Sequence, residues 1–182
     1  GSMTDTHVWI DGQQVGPVHQ GGFTEFAYDV TPYIRPGKRQ TLEVLVSKES
    51  ANYSVNSAER RADWWLFGGI YRPVYIDILP QEHISHVSID ARANGEIYAQ
   101  VTTSLSATQE TTPPGTLTID GTPVPYNKEK GCWVYPNPKT WDPEHPNLYT
   151  ATFTLGDNRH SVSHRIGFRT IEVRPHDGIY LN

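Results

Sequence analysis

Asp63, Trp64 and Trp65 stand side by side in the run Arg60-Arg61-Ala62-Asp63-Trp64-Trp65-Leu66-Phe67-Gly68-Gly69-Ile70-Tyr71-Arg72. Indole faces stack on the C–H side of a pyranose, and a carboxylate accepts the hydroxyl protons around its rim. The triplet therefore suits a sugar site, since aromatics with a few convergent polar groups are the usual make-up of a small-ligand pocket. Large aromatics serve equally as core or interface residues, and composition does not choose between these readings. Glu59, Arg60, Arg61 and Asp63 also admit a structural reading, a solvated charge cluster that holds its own loop shut.

Other chemistries find less support in the residues. His83 and His86 form a His-x-x-His pair, but the two-residue period of a strand sets them on opposite faces. His160 and His164 share a face, yet lack the Cys or carboxylate neighbours of a metal centre. Cys132 beside Trp133 reads as a packed small residue, and a lone cysteine excludes an intrachain disulfide. No Gly-x-Ser-x-Gly elbow, Gly-x-Gly-x-x-Gly or phosphate loop occurs, so neither a metal nor a cofactor is implied. The 182 residues carry a net charge of −5, with both signs dispersed and no basic stripe for a nucleic acid. No apolar run approaches the length of a membrane span. The Asn52-Tyr53-Ser54 sequon reads as chance, and the opening Gly1-Ser2-Met3 as an expression scar.

The elements that must position Asp63 to Trp65 are strands. Residues 6–10 alternate and meet Asp11-Gly12, a hairpin signal. A second strand is expected over residues 23–30, with Thr24, Phe26, Tyr28 and Val30 on one face. Pro36-Gly37 predicts a turn, and Leu42, Val44 and Val46 point inward from the strand after it. Residues 48–62 lose the period and read as a long loop with one helical turn around 57–62; loops of this length in compact domains are often functional. Gly68-Gly69 permits a sharp bend. Beyond it Ile70, Arg72, Val74, Ile76 and Ile78 fall on one strand face, opposite Tyr71, Tyr75 and Leu79.

A second pattern begins after Pro80-Gln81-Glu82. Val87, Ile89 and Ala91 share a face, as do Ile97, Ala99, Val101, Thr103 and Leu105 after Asn94-Gly95. Residues 108–114 form a polar, proline-rich loop. Leu117 and Ile119 lead into a second hairpin signal, Asp120-Gly121, and Cys132–Tyr135 is strand-like. Tyr149, Ala151, Phe153 and Leu155 then face inward together. Val162, His164, Ile166 and Phe168 have one parity and Ile171 and Val173 the other, which demands a bulge near Arg169 or Thr170, or a change of partner. Short strands with frequent turns fit a small immunoglobulin-like sandwich.

Residues 60–76 resemble the closing strand of the sugar-binding jelly-roll domain of family 2 glycoside hydrolases, the β-galactosidase and β-glucuronidase family. Lys48-Glu49-Ser50-Ala51-Asn52 and Glu59-Arg60-Arg61-Ala62-Asp63 are similar to Bacteroidetes-like members. Trp9-Ile10-Asp11-Gly12, Gly21-Gly22-Phe23, Phe26 and Asp29-Val30-Thr31 resemble its earlier motifs, with Asp11 where Asn is commoner. Trp141-Asp142-Pro143-Glu144-His145-Pro146-Asn147-Leu148-Tyr149 resembles a signature of its immunoglobulin-like domain. Ile166–Val173 and Asp177–Asn182 resemble the exit of that domain into the catalytic barrel. In β-galactosidases of the family an aspartate seven residues before the Ile of Gly-Ile-(Phe/Tyr)-Arg reaches toward the catalytic pocket, and that spacing falls on Asp63. The resemblance thus implies Asp63, Trp64 and Trp65 as substrate-binding residues.

The implied fold is all-β: a partial jelly-roll β-sandwich over residues 4–80 and an immunoglobulin-like β-sandwich over 81–175. Residues 1–3 would be a tag, and 176–182 a linker toward the barrel. Hydrolysis in the family uses two glutamates on a (β/α)₈ barrel, about 5 Å apart for retaining chemistry. One of them usually follows Asn, and this chain has no Asn-Glu dipeptide. The expectation is therefore a non-catalytic fragment of a retaining glycosidase that braces the barrel and lends a loop to its sugar pocket. Its partners would be carbohydrate and the barrel, with no nucleic acid and no membrane, and the resemblance suits a periplasmic or extracellular site. A jelly roll short of strands would also self-associate through bare edges. A stand-alone carbohydrate-binding module and an adhesive β-sandwich are the alternatives.

Overall fold

The computed structural model describes residues 1–61, 63, 65–105, 115–156 and 160–182. It is almost entirely β, and its chain divides into two compact units, Gly1–Ile76 and Asp77–Asn182. The division falls just before the expected 80/81 boundary. Pro80 and Gln81 already bond into the second unit, through His83 Nδ1 to Pro80 O (2.9 Å) and Ser104 Oγ to Gln81 O (2.7 Å).

In the first unit β1 (Ser2–Met3) precedes β2 (Asp5–Ile10), β3 (Gln13–Gln14) and β4 (Leu42–Ser47). The hairpin between β2 and β3 turns at Asp11 and Gly12, both at positive φ (48° and 77°), as the tight two-residue turn requires. Asp11 does more than turn the chain. Its carboxylate accepts from Thr41 N (2.8 Å), Gln40 Nε2 (2.9 Å) and Arg35 Nη2 (2.9 Å), fixing where β4 begins. The Thr41 amide and Gln40, with Arg35 beside them, hold this carboxyl below the usual range against the opposing pull of burial. The expected turn at Pro36-Gly37 is present, with Gly37 at φ 74° and Lys38 N bonded to Arg35 O (3.1 Å). β2 is the central strand of a β3–β2–β4 sheet. Val44 and Val46 are half-buried as expected, whereas Leu42 is exposed.

Three expectations for this unit need correction. Residues 23–30 form no strand; ring contacts hold them instead, with Phe26 stacked on His19 (4.0 Å) and edge-on to Tyr28 (5.5 Å). Tyr28 lies where a Cβ on residue 16 would be only 2.4 Å from its ring, so Gly16 is obligatory there. Beyond the two-residue β5 (Gly69–Ile70), residues 71–79 are likewise not a ladder. β5 pairs with β1 alone, and the pairing ends as Tyr71 N and Arg72 N both bond Gly1 O (3.0 and 3.1 Å). Alternation makes a strand only where a neighbouring strand supplies ladder hydrogen bonds, and among the described residues none pairs with 71–79 in that way. The third correction is the helix. It is α1 (Tyr53–Arg60), two turns rather than one and starting earlier, because Asn52 caps it by accepting from Ser54 N (3.0 Å) and Val55 N (3.3 Å). Ser2 and Met3 of β1 are buried, Met3 fully.

The second unit packs one four-stranded sheet against another. β6 (Ile84–Ala91), β7 (Glu96–Thr103), β8 (Gly115–Ile119), β9 (Thr122–Val124), β10 (Tyr126–Asn127), β11 (Cys132–Val134), β12 (Tyr149–Leu155) and β13 (Ser161–Ile166) form sheets ordered β10–β11–β7–β6 and β13–β12–β8–β9. Inward alternation is as read: Val87, Ala91, Ile97, Leu117, Ile119, Ala151, Phe153 and Leu155 are buried, and Trp133 meets Phe153 edge to face at 5.5 Å. Leu105, expected on the inner face, lies past the end of β7 and is exposed. The 108–114 loop lies outside the described residues. Asp120-Gly121 repeats the first hairpin (φ 47° and 80°), and Asp120 Oδ1 accepts from Thr150 N (2.8 Å), again locking a neighbouring strand.

The parity slip after Phe168 is a change of partner. β13 pairs with β12, but β14 (Ile171–Arg174) leaves the sandwich to pair with β15 (Gly178–Leu181). Residues expected as an exit linker are thus the return strand of a hairpin. Trp141 sits at the departure point, donating its backbone N–H to Phe168 O (2.8 Å) and stacking under Arg169 (5.0 Å).

Candidate functional site

The segment bearing Asp63 is held by the start of β2. Thr6 and His19 exchange backbone hydrogen bonds (2.9 and 3.1 Å), which brings Gly21-Gly22 beside β1 and β2. A Cβ on Gly22 would come within 3.0 Å of Met3 Cγ, so the close approach needs glycine. Gly22 then anchors the segment from both sides. Its N–H donates to both oxygens of Glu59 (3.0 and 2.8 Å), four residues before Asp63. Its carbonyl accepts the Tyr71 hydroxyl, eight residues after Asp63. Thr4 Oγ1 adds a long bond to Glu59 (3.4 Å), and Phe67 stacks on Tyr71 at 5.0 Å. Glu59 and Tyr71, which flank the segment bearing Asp63, therefore both close on one glycine.

A second clasp secures the stretch leading into α1. The buried Asp5 accepts from Ala51 N (2.8 Å) and Gln20 Nε2 (3.1 Å). Burial pushes the Asp5 carboxyl up, but donors from Ser50, Ala51 and Gln20 together outweigh it and hold the group below its usual value. Ser50 N bonds Asn56 Oδ1 (2.8 Å), and Arg60 reaches back to Lys48 O. Glu59 and Arg60 bond chiefly to backbone groups, Gly22 N and Lys48 O, rather than to one another.

Within the loop, Asp63 is exposed and Trp65 is 86% exposed; Trp64 lies outside the described residues. A carboxylate and an indole thus project to solvent from a stretch tied down at both ends. Sequence reasoning singled out the tips and missed the ties. The Gly21-Gly22 pair was visible only as a chain break, and nothing local joins it to Glu59 or Tyr71.

His83 and His160 make structural hydrogen bonds. His160 Nδ1 accepts from Ile84 N (3.1 Å), while His83 Nδ1 bonds Pro80 O. Among the described residues no three His, Cys, Asp or Glu side chains gather as a metal site. Cys132 is buried, and no helix of the described residues is long and apolar enough to cross a membrane.

Two β-rich units, the first carrying a segment tied at both ends, are the fold to compare with known proteins, and that comparison gives the family. The model of the family 2 glycosyl hydrolase sugar binding domain matches residues 1–80, and that of glycosyl hydrolases family 2 matches residues 81–169. The chain belongs to glycosyl hydrolase family 2. Over its whole length it is 30% identical to a putative β-glucuronidase of Formosa agariphila and 30% identical to a β-galactosidase of Thermoanaerobacter pseudethanolicus. It spans 24% and 27% of their respective lengths. A solved β-glucuronidase of Faecalibacterium prausnitzii matches all of this chain, which covers 35% of that one, with a TM-score of 0.67 and 26% identity.

Proposed function

We propose that the chain is a non-catalytic region of a retaining glycosidase of the β-galactosidase and β-glucuronidase type, bracing a catalytic barrel and lending the 60–70 loop to its sugar pocket. The observation that carries this reading is the double closure of that loop on Gly22. A loop fastened at both ends presents its tip in one geometry, which a pocket assembled from two parts of a protein requires. In this reading Asp63 accepts substrate hydroxyls, and Trp65 with Trp64 offers a face to the sugar ring. Glu59, Gly22 and Tyr71 position the loop without touching substrate. The relatives' length, about four times that of this chain, accommodates the barrel.

The 182-residue chain is then expected to release no nitrophenol from nitrophenyl β-galactoside or β-glucuronide. Turnover that disappears on changing one of its own carboxylates would overturn the reading. The exposure of Trp65 favours one rival, a module that binds sugar unaided through this loop. Calorimetric binding of galactosides or glucuronides to the chain, lost in Trp65→Ala, would decide for that rival.

A further inference from the structure

One face of the β3–β2–β4 sheet carries an aromatic platform that the role given to Asp63 does not use. In the sheet register Trp9 of β2 lies between Gln14 of β3 and Glu43 of β4, and directly opposed residues project from the same face. His7, two residues along, projects there too, opposite Leu45. The His7 and Trp9 rings are nearly parallel, 5° apart in tilt with centroids at 5.5 Å, so the imidazole backs the indole and restricts it. An open groove of about 410 Å³ runs beside them, lined by Trp9, Gly12, Glu43, Val44 and Leu45. Gly12 keeps one side clear, since nothing stands within 4 Å of where its Cβ would be. Glu43 is exposed, and its carboxylate has no partner among the described residues. Gln14 is also exposed and gives one amide N–H to Gly16 O (2.9 Å).

We infer that this groove binds a neutral sugar ring, with Trp9 as the stacking platform and Glu43 and Gln14 hydrogen-bonding hydroxyls on either side of it. The chemistry selects this ligand class. A purely apolar occupant would strip water from a carboxylate and an amide without replacing their hydrogen bonds. A cation is best held by several aromatic faces, and here one face of a single indole is backed by His7. A pyranose offers both what an indole face takes, a patch of C–H groups, and what a carboxylate and an amide take, a rim of hydroxyls. The inference is independent of the 60–70 loop.

The test is a titration of the ¹⁵N-labelled 182-residue chain with methyl β-galactoside and with cellobiose, followed by amide and indole N–H shifts. The expected result is saturable millimolar movement of the Trp9 indole and Gln14 side-chain signals. Trp9→Ala should abolish it, and Trp65→Ala should leave it unchanged. Glu43→Gln alters only an exposed side chain, so it keeps the fold, and should weaken binding about tenfold through loss of a charge-assisted hydrogen bond. Absence of any shift with either sugar would overturn the inference. So would movement confined to Trp65, undiminished binding in Glu43→Gln, or equal shifts with choline chloride, which would mark a cation site.

Discussion

Replacing Glu59 by alanine tests the closure of the loop most sharply. The carboxylate takes one backbone N–H with both oxygens (3.0 and 2.8 Å) and a weaker hydroxyl contact at 3.4 Å. Alanine removes a charged acceptor and leaves Gly22 N–H to find water beside the buried Met3. A hydrogen bond to a charged group contributes about 1.5–3 kcal/mol, so a loss of about 2 kcal/mol is expected. For a unit of this size that lowers its melting midpoint by on the order of 10 °C. Glu59→Gln keeps a carbonyl acceptor without the charge and should lose roughly half as much. Differential scanning calorimetry gives the midpoints, and amide hydrogen exchange reports whether α1 opens, through Val55 and Asn56. Asp63→Asn serves as control, since Asp63 is exposed and should leave the melt alone. An unchanged midpoint and unchanged protection in Glu59→Ala would refute the argument that Gly22 fastens the loop.

Three other outcomes follow from the packing. Gly167→Ala would set a Cβ 2.7 Å from Trp141 Cβ and 2.8 Å from its Cγ; overpacking of that kind costs about 1–3 kcal/mol, and urea unfolding of the second unit should show it. Asp5 has a folded pKa below its ordinary 3.8, so its stabilising effect is complete above that pH and is lost as pH falls through the lowered value. Acid unfolding followed by tryptophan fluorescence should therefore steepen below about pH 4, and Asp5→Asn should be less stable at neutral pH with a flatter acid limb. Leu42, Leu45, Val74 and Ile76 are exposed in the first unit, whose β4 is an edge strand, so light scattering should show mass rising with concentration. A constant monomer mass would count against that expectation.

Features written in local chemistry were legible in the sequence. Asp11-Gly12 and Asp120-Gly121 each announce a hairpin because positive φ at two successive residues suits few side chains, and both turns form. The alternation of Ile97 to Thr103 and of Tyr149 to Leu155 gave the inner faces of the second unit because each strand there has a partner on the ladder. The same alternation misled over residues 23–30 and over 70–78 beyond the short β5, where no strand of the described residues pairs with them in a ladder. Helix α1 was misplaced because its start depends on the Asn52 cap, an oxygen serving two N–H groups, and not on apolar spacing. For the candidate site, type and order picked out Asp63 and Trp65. The ties at Gly22 are contacts between residues 37 and 49 positions apart, which no local pattern encodes.

The central claim is the proposed role of Asp63 at the sugar pocket of a catalytic barrel. The direct measurement is kcat/KM for nitrophenyl glycoside hydrolysis by a polypeptide joining this chain to a family 2 catalytic barrel, with Asp63 intact and as Asp63→Ala. The account predicts a fall of about tenfold or more, the worth of one charged hydrogen bond to substrate, with the melting midpoint unchanged. Equal kcat/KM for the two would contradict it.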